Sequence, residues 1–274
     1  MKITVLVENT ARRPGLITEH GLGLYIDWSG GTMMMDFGHK GAIVPNAEAL
    51  GIDLTRPTMG VLSHGHFDHS GGILAFRKKN PAMPIYVQKE AFGDYWASRL
   101  DGTHEYIGLD STLREDGHIH PVTGVTELGG GALLFDGING RRLYSRANDC
   151  LLVKTEAGFA PDAFRHEQAL ILPHGSGYVL FGGCAHNGIV NVIDRAVEIW
   201  GKAPDAVLSG FHLADPTSQR GYDPELTEAI GKALLQHPTK YYTCHCTGLA
   251  AYDVLKATMG DTVDYAACGD VIEQ

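Results

Sequence analysis

The sequence predicts a mixed α/β fold contained in a single domain of residues 1–274. Two observations support this prediction. Short apolar segments of strand length are followed by segments of helical periodicity in both halves of the chain. No shift in composition, internal repeat or low-complexity linker separates the halves, and 274 residues are enough to bury a core of normal density. Strands and helices interleaved in this way are typical of sheets covered by helices.

The first half of the chain predicts a hairpin followed by alternating strands and helices. Alternating apolar side chains at Ile3, Val5 and Val7 predict a buried strand over residues 2–7. Two further strands, over 21–28 and 32–36, are joined by a glycine-rich turn that favours a hairpin. The other predicted elements are helices over 42–50, 72–79 and 89–99, strands over 58–62 and 85–87, and a long polar loop or flap over 101–120.

The second half predicts short strands first and strand–helix pairs after them. Residues 169–172 and 178–181 are apolar runs on either side of a turn at 174–177, so we expect them to pair. Helical periodicity predicts helices over 189–200, 224–236 and 249–259. The remaining strands are predicted over 122–128, 132–138, 150–154, 206–208 and 240–243.

Charge and composition argue against several classes of protein. The chain has 22 Lys and Arg against 32 Asp and Glu, a formal net charge of −10, which disfavours nucleic acid or an anionic membrane as a partner. No apolar run is long enough to span a bilayer, and the first residues lack the apolar stretch of a signal peptide. Five cysteines without a regular framework favour reduced thiols and a cytoplasmic location. The 14 histidines raise the odds of a metal site.

The loop at residues 63–72 concentrates metal-binding side chains. His64, His66, Asp68 and His69 lie within six positions, after a predicted strand and before a predicted helix. His64 and His66 are two residues apart, so in an extended chain their rings point the same way. Neutral imidazole and carboxylate are ligands that suit zinc, iron or manganese. The sequence therefore predicts a metal site here rather than a solvated polar loop.

This pattern, His-x-His-x-Asp-His after a strand, resembles the signature of the metallo-β-lactamase superfamily. Residues 24–36 resemble its early hairpin, with Asp36 beside the metal loop. Residues 182–188 and 241–248 stand where the family supplies its later ligands. The resemblance implies a four-layer αββα sandwich with two divalent metal ions at the edge where the sheets meet. Zinc is the first expectation for both ions, and iron or manganese the alternative.

Carried over residue by residue, the resemblance implies two sets of ligands. They are His64, His66 and His186 for the first ion and Asp68, His69 and His245 for the second. Cys184 stands where the superfamily has a bridging aspartate. Three interpretations of Cys184 are open. It could be a thiolate ligand, or a small buried residue beside two ions that only solvent bridges. In the third interpretation, the second ion binds weakly or is absent. His166 competes with His186 for the place of third histidine ligand of the first ion. If His166 is not a ligand, we expect it to be an exposed residue at the start of a strand.

A narrower set of motifs resembles the subfamily named for dihydropterin-ribofuranosylaminobenzene-phosphate synthase. These motifs are Glu8-Asn9, Glu19-His20-Gly21, Asn46-Ala47, Glu167-Gln168-Ala169-Leu170, Gly183-Cys184-Ala185-His186, Gly210-Phe211-His212-Leu213 and Cys244-His245-Cys246-Thr247-Gly248. The subfamily name implies condensation of a ribofuranosylaminobenzene phosphate with a dihydropterin diphosphate, which releases diphosphate.

The superfamily resemblance implies a dinuclear metal-dependent hydrolase acting on a phosphoester or another small anionic substrate. Two ions lower the pKa of a water between them, and the hydroxide attacks a phosphoryl or acyl centre. Asp68 is expected to bind metal and help shuttle the proton. His212 is expected to contact substrate or stabilise an oxyanion, or else to be a packed structural residue. The alternative functions are the condensing transferase, a diiron redox site and a non-catalytic metal-binding protein.

Other side chains are weaker candidates. Glu19 and His20 either approach the site from the early hairpin or lie in an exposed turn. Cys244 and Cys246 flank His245 and are expected to be buried structural thiols that point away from it. We expect surface positions for His104, His118 and His120, a phosphate contact or a solvated face for Arg141, Arg142 and Arg146, and a ligand-orienting or turn-forming role for Asn9 and Asn187.

Overall fold

The computed structural model describes residues 1–214 and 221–274. The strands of this part are β1 (Lys2–Val7), β2 (Gly23–Trp28), β3 (Gly31–Phe37), β4 (Met59–Val61), β5 (Ile85–Gln88), β6 (Tyr95–Ser98), β7 (His104–Tyr106), β8 (Ile119–Val122), β9 (Thr126–Glu127), β10 (Leu133–Phe135), β11 (Leu151–Thr155), β12 (Gly158–Pro161), β13 (Ala169–His174), β14 (Gly177–Phe181), β15 (Ala206–Ser209), β16 (Lys240–Thr243), β17 (Val263–Tyr265) and β18 (Val271–Glu273). The helices are α1 (Ile43–Ala49), α2 (Phe67–Ser70), α3 (Ile73–Arg77), α4 (Ile189–Trp200), α5 (Pro224–Leu234) and α6 (Leu249–Met259).

Two seven-stranded sheets form the centre of the molecule. The first has the order β18-β1-β2-β3-β4-β5-β8, antiparallel up to β3 and parallel from β3 to β8. The second has the order β17-β16-β15-β14-β13-β10-β9 and is parallel from β14 to β17. One buried cluster joins Leu24 and Met33 of the first sheet to Leu170 and Phe181 of the second. The two sheets therefore pack face to face.

Helices cover the outer face of each sheet. On the first sheet, Tyr25 and Met34 point away from the neighbouring inward residues and pack against α1 and α3. On the second, Tyr178 and Leu180 contact α4, α5 and α6. This alternation follows from the two-residue period of a strand, since each sheet is apolar on both faces. The layers run helix, sheet, sheet, helix, which confirms the predicted αββα sandwich.

Most predicted elements are confirmed. The helices over 189–200 and 249–259 and the strand over 240–243 have the predicted bounds. β13 and β14 pair antiparallel across the predicted turn. α5 begins after Asp223, whose side chain accepts the Leu226 N–H as an N-cap, with Pro224 in the first turn.

The prediction of a helix over 89–99 is wrong, and the predicted long polar loop or flap over 101–120 contains regular elements. Residues 95–98 form β6, which pairs with β7 and β11 in a four-stranded sheet of order β12-β11-β6-β7. The stretch 101–120 contains β7 and a 3₁₀ helix at Ser111–Glu115. Tyr95 and Ala97 are buried under this small sheet with Leu151, while the intervening side chains are half-exposed. Long-range pairing overrides the local helical pattern.

No helix in the described ranges combines the length and apolar character needed to cross a lipid bilayer. The single-domain organisation of residues 1–274 stays a prediction.

Candidate metal centre

The candidate site lies at the edge where strands of both large sheets end. β4 leads directly into the histidine-rich loop at residues 63–72, which contains α2. The parallel strands β14, β15 and β16 end just before Cys184, His212 and His245. Because parallel strands end at a common edge, these residues meet the histidine-rich loop although they are far from it in sequence. All three are buried.

One group of imidazole nitrogens converges at this edge. The Nε2 atoms of His64 and His186 are 3.3 Å apart, and His66 supplies a third nitrogen within 4.8 Å of both. His64 Nδ1 donates to the Ser63 hydroxyl oxygen at 2.9 Å, because that hydroxyl donates its own proton to Asp36 Oδ2 at 2.7 Å. His186 Nδ1 donates to Asn148 Oδ1 at 2.9 Å, an orientation fixed because Asn148 Nδ2 donates to the His186 carbonyl oxygen. Each Nε2 thus keeps the lone pair that a metal ligand needs.

A second group surrounds the carboxylate of Asp68. Its Oδ2 lies 3.1 Å from His245 Nε2 and 3.7 Å from His69 Nε2. The other ring nitrogen of each histidine, Nδ1, is hydrogen-bonded on the side that faces away from Asp68. His69 Nδ1 donates to Asp36 at 2.6 Å, and His245 Nδ1 donates to Asn9 Oδ1 at 2.7 Å. The structure therefore brings together, in two adjacent groups, all six residues that the superfamily resemblance implies as ligands.

His20 also reaches this second group. Of its two predicted placements, the structure therefore shows the approach to the site and not the exposed turn. Its Nε2 is 3.1 Å from Asp68 Oδ2. Asn9 Oδ1 accepts hydrogen bonds from Gly21 N and His245 Nδ1, so the Asn9 amide nitrogen faces His20 Nδ1 at 3.4 Å. A neutral His20 therefore carries its proton on Nε2, directed at Asp68. A neutral His245 instead carries its proton on Nδ1, which donates to Asn9.

The two groups differ electrostatically. Burial lowers the pKa of His66 to about 3, and burial with neighbouring rings lowers the pKa values of His64 and His186. Burial also lowers the pKa of His69, but Asp36 and Asp68 outweigh it and raise that pKa to about 9. Burial would raise the pKa of Asp68, yet the charge of His69 and the hydrogen bond from His20 hold it well below its usual range. The first group is thus neutral, and the second carries a carboxylate.

This donor chemistry fits divalent cations. Five buried imidazoles and one carboxylate are a typical set for zinc, iron or manganese. His66 Nε2 is buried without a hydrogen-bond partner in the described part of the chain. Leaving such an atom unpaired costs free energy, which a metal–nitrogen bond recovers. The local backbone is strained as well, since Asp36, Ala185 and His245 have positive φ.

Two thiols lie inside the site, which corrects one expectation. Cys184 Sγ is 3.2 Å from His69 Nε2, and its thiol belongs to three of the compact groups of donor atoms. Cys246, expected to point away as a structural residue, lines the site instead and groups with Cys184 and His245. Burial raises the pKa of the Cys184 thiol, whereas a hydrogen bond from Cys184 lowers the pKa of Cys246 against its burial. Cys244 lies in the core between the sheets, as expected.

His166 is buried and hydrogen-bonded on both ring nitrogens. It is fully enclosed, so the expectation of an exposed residue at a strand start is wrong. Nδ1 accepts the Gly65 N–H at 2.9 Å, and Nε2 donates to Asp162 at 2.9 Å. Neither nitrogen is left for an ion, which favours His186 as the ligand. His166 instead anchors the histidine-rich loop.

Two buried glutamates hold the later segments in place. Glu167 accepts the backbone N–H groups of His186 and Asn187 and the Asn187 side-chain amide. Glu8 accepts the His245 N–H at 2.7 Å and the Tyr265 hydroxyl at 2.7 Å. Both glutamates occur in the motifs quoted for the subfamily, but their roles could not be inferred from sequence because their partners are remote in the chain.

A cavity of about 370 Å³ opens above the donor groups. Its floor contains His20, His66, Asp68, Cys184, His186, His212, His245 and Cys246. Its wall is built by Phe67 and by residues of or beside the small sheet, Ala97, Arg99, Glu105, Ile107 and Leu151. The small sheet, which the sequence did not predict, thus faces the candidate site.

His212 occupies a distinctive position on this floor. It is 7% exposed, and neither ring nitrogen has a hydrogen-bond partner in the described ranges. Its ring centroid is 4.2 Å from that of His186, and its backbone φ is +45°. A structural histidine would be expected to satisfy at least one nitrogen, so a contact with a ligand is the better interpretation.

The other weaker candidates lie off the cavity floor. His104, His118 and His120 are exposed or nearly so, away from the donor groups. Arg141 donates to Asn187 Oδ1 and the Ala163 carbonyl oxygen. Arg142 pairs with Asp194 at 2.9 Å. Arg141 and Arg142 therefore bind residues around the site from outside, and neither lines the cavity above the donors.

Comparisons with known proteins agree with this geometry. The chain is 27% identical to 7,8-dihydropterin-6-methyl-4-(beta-D-ribofuranosyl)-aminobenzene-5'-phosphate synthase of Methanocaldococcus jannaschii over 253 residues, covering 84% of this chain and 80% of that protein. It is 23% identical to the uncharacterized protein MJ0448 of the same organism, covering 98% and 99% of the two chains.

Solved structures show the same architecture. Tm1679, described as a metal-dependent hydrolase of the beta-lactamase superfamily, is 27% identical and matches with a TM-score of 0.84 over 100% of this chain and 99% of that one. A diphosphatase from the PhnP family shares the fold at 14% identity and a TM-score of 0.56, covering 100% and 97%. The family model described as the metallo-beta-lactamase superfamily matches residues 25–198. The chain therefore belongs to the metallo-β-lactamase superfamily.

Proposed function

We propose that the protein is a dinuclear metal-dependent hydrolase of a phosphoester or another small anionic substrate. The observation that carries this proposal is the pair of adjacent donor groups, of which His66, Asp68, His186 and His245 line one cavity. His64, His66 and His186 would hold one divalent ion, and Asp68, His69 and His245 the other. Zinc suits these imidazole-rich sets best, with iron or manganese as alternatives. Bound there, two ions supply an activated water and polarise a substrate oxygen.

Within this proposal Asp68 has two roles. Its carboxylate contributes one ligand atom and accepts a hydrogen bond from His20 Nε2 at 3.1 Å. Because the surrounding imidazoles outweigh its burial, Asp68 stays ionised, as a metal ligand must be. His20 then fixes the carboxylate's position. Asp68 is the proposed proton shuttle.

His212 is the proposed contact to the substrate's reacting oxygen. Both of its ring nitrogens are buried and unpartnered in the described part of the chain, and it lines the cavity. An N–H aimed into a water-poor cavity stabilises negative charge that develops in a transition state. Removing one such donor costs on the order of 10²-fold in kcat.

The cavity sets the class of substrate. A volume of about 370 Å³ fits a small molecule. Positive charge from two ions favours an anionic group on the floor, while Phe67, Ile107 and Leu151 offer an apolar wall. The formal net charge of −10 disfavours nucleic acid and anionic membranes as partners. Five cysteines without a regular framework favour action in the reducing cytoplasm.

The proposal is tested by turnover of a panel of phosphomonoesters, phosphodiesters and cyclic phosphates after reconstitution with zinc, manganese or iron. We expect hydrolysis of at least one class that stops when a chelator is added and falls at least about 100-fold in His186→Asn and His245→Asn. The matched control is His237→Asn, at a position beyond α5. Activity that survives both active-site variants would contradict the proposal.

A second candidate function is the condensation named for the methanogen relative. That relative is 27% identical along most of the chain. The reaction joins a dihydropterin diphosphate to a ribofuranosylaminobenzene phosphate and releases diphosphate. Release of diphosphate only when both substrates are present would favour this candidate. Failure of all turnover, with metal bound, would favour the third candidate, a non-catalytic metal-binding protein.

A further inference from the structure

One buried carboxylate lies behind ligand rings of both proposed ion positions. Asp36 Oδ2 accepts a hydrogen bond from His69 Nδ1 at 2.6 Å and another from the Ser63 hydroxyl at 2.7 Å. The same hydroxyl oxygen lies 2.9 Å from His64 Nδ1. His69 belongs to the second donor group and His64 to the first. Asp36 therefore contacts one group directly and the other through Ser63.

The number of available protons fixes the direction of each hydrogen bond. A carboxylate only accepts, so the Ser63 hydroxyl donates its one proton to Asp36. The hydroxyl oxygen can then only accept from His64, which places the His64 proton on Nδ1 and leaves the Nε2 lone pair facing His186 Nε2 at 3.3 Å. Asp36 imposes the same tautomer on a neutral His69 directly. Asp36, Ser63, His64 and His69 are all fully buried, so solvent does not compete for these bonds.

Both large sheets are shaped around the Ser63 side chain. Gly183 follows β14 of the second sheet, and a Cβ there would collide with the Ser63 hydroxyl and crowd His64 Nδ1. Asp36 lies in β3 of the first sheet with a strained φ of +57°. Its Oδ1 also accepts the Ser63 N–H at 2.7 Å, so the carboxylate binds both the main chain and the side chain of Ser63. The position of the hydroxyl is thus determined from two sides.

We infer that Asp36 and Ser63 are positioning residues that set the tautomer of one ligand ring in each donor group, with the Ser63 hydroxyl as the relay to His64. The inference rests on the proposed function, because these rings would hold its two ions. Asparagine in place of Asp36 reverses the relay, since its amide donates to Ser63 Oγ and the hydroxyl proton then turns to His64 Nδ1. His64 would carry its own proton on Nε2, where the proton blocks an ion.

The test measures zinc affinity at each position separately, by competition with a metal-binding dye. His245→Asn removes a ligand of the second position, so the first is measured in that background, and His186→Asn isolates the second in the same way. Ser63→Ala should weaken binding at the first position about tenfold or more and leave the second unchanged. Asp36→Asn should weaken binding at both positions about 10–100-fold.

The double variant separates a relay from general damage to the loop. Without the Ser63 hydroxyl, an asparagine at position 36 can no longer direct a proton to His64. Asp36→Asn combined with Ser63→Ala should therefore bind the first ion at least as tightly as Asp36→Asn alone, whereas losses that multiply would overturn the inference. The matched control is Ser70→Ala, which removes a buried hydroxyl of the same loop that donates to the His66 carbonyl oxygen. It should leave both affinities unchanged.

Nitrogen-15 NMR of the wild-type chain, with and without zinc, determines the tautomers without any variant. We expect a protonated Nδ1 on His64 and on His69 in both states, and a His64 ring protonated on Nε2 instead would overturn the inference. If no zinc binds, the proposed function fails while the metal-free spectrum still decides the inference. The expected affinities in a chain without hydrolytic activity would uphold the inference and contradict the proposed function.

Discussion

At the scale of single residues, hydrogen bonds behind the rings decide what each histidine can do. His69, His186 and His245 each use Nδ1 to donate to a fixed acceptor, so Nε2 faces the site. The sequence predicts the ligand residues because their spacing is local or resembles a known motif. It does not predict Asn148 as an acceptor, because nothing in the sequence pairs that residue with His186, 38 positions away.

Asn148 supplies a prediction at this scale. Asn148→Ala removes the acceptor of His186 Nδ1 and should weaken ion binding at the first group about 10–100-fold. Asn139→Ala, at an exposed position, is the matched control. Competition with a metal-binding dye measures both affinities. Equal affinities for the two variants would show that Asn148 does not orient His186.

The two donor groups should also differ in proton release. The pKa of His66 is lowered to about 3 by burial, so no proton competes with an ion at the first group near neutral pH. The pKa of His69 is raised to about 9, because Asp36 and Asp68 outweigh its burial, so a proton must leave before an ion binds at the second. Lowering the pH from 9 to 6.5 should therefore weaken only the second binding event.

Calorimetry in buffers of different ionisation enthalpy measures this difference. We expect about one proton released by the second ion and none by the first. Equal proton release in the two events would contradict the assignment of the raised pKa to the second group. The metal-free chain is the starting state for both titrations.

At the scale of elements, loops are positioned by contacts between segments remote in sequence. The histidine-rich loop is held through Gly65 by His166, which precedes β13. The small sheet is the clearest failure of local prediction. Tyr95–Ser98 has only four residues and pairs with nearby β7 on one side and with remote residues 151–153 on the other, so its strand character depends on pairing that its local helical pattern does not indicate. Elements with a strong internal period, such as α4, were predicted with their observed bounds.

His166 provides a prediction for the loop. His166→Ala leaves the buried Gly65 N–H without an acceptor and should lower the free energy of unfolding by about 1–3 kcal/mol. His166→Asn, whose side-chain oxygen can replace Nδ1, should lose less. Both variants should still bind two ions at saturation. Denaturant unfolding and metal counting test this, and loss of one ion in both variants would make His166 a ligand.

The small sheet leads to a prediction about substrate binding. Arg99 lines the cavity wall and pairs with Glu105. Arg99→Gln removes a positive charge near the entrance and should raise KM for an anionic substrate by about tenfold, with kcat and metal content little changed. Steady-state kinetics on the substrate found in the panel measures the effect. A fall in kcat with unchanged KM would place Arg99 in the chemical step instead.

At the scale of the whole molecule, the site exists because two sheets meet. The first sheet delivers the loop after β4, and the second delivers the residues after β14 and β16. The fold class follows from sequence because alternating apolar residues and helical periods recur along the whole chain. Only the family resemblance predicted that His64 and His186, 122 positions apart, lie close together. No local pattern in the sequence encodes the packing of one sheet on the other.

The central claim is that one ion is held by His64, His66 and His186 and another by Asp68, His69 and His245. Anomalous diffraction from crystals of the zinc-loaded protein, collected on either side of the zinc edge, tests it most directly. The account predicts one peak at about 2.0–2.1 Å from the Nε2 atoms of the first set and another at similar distances from the donors of the second. Absence of either peak, or a peak bonded to His166, would contradict it.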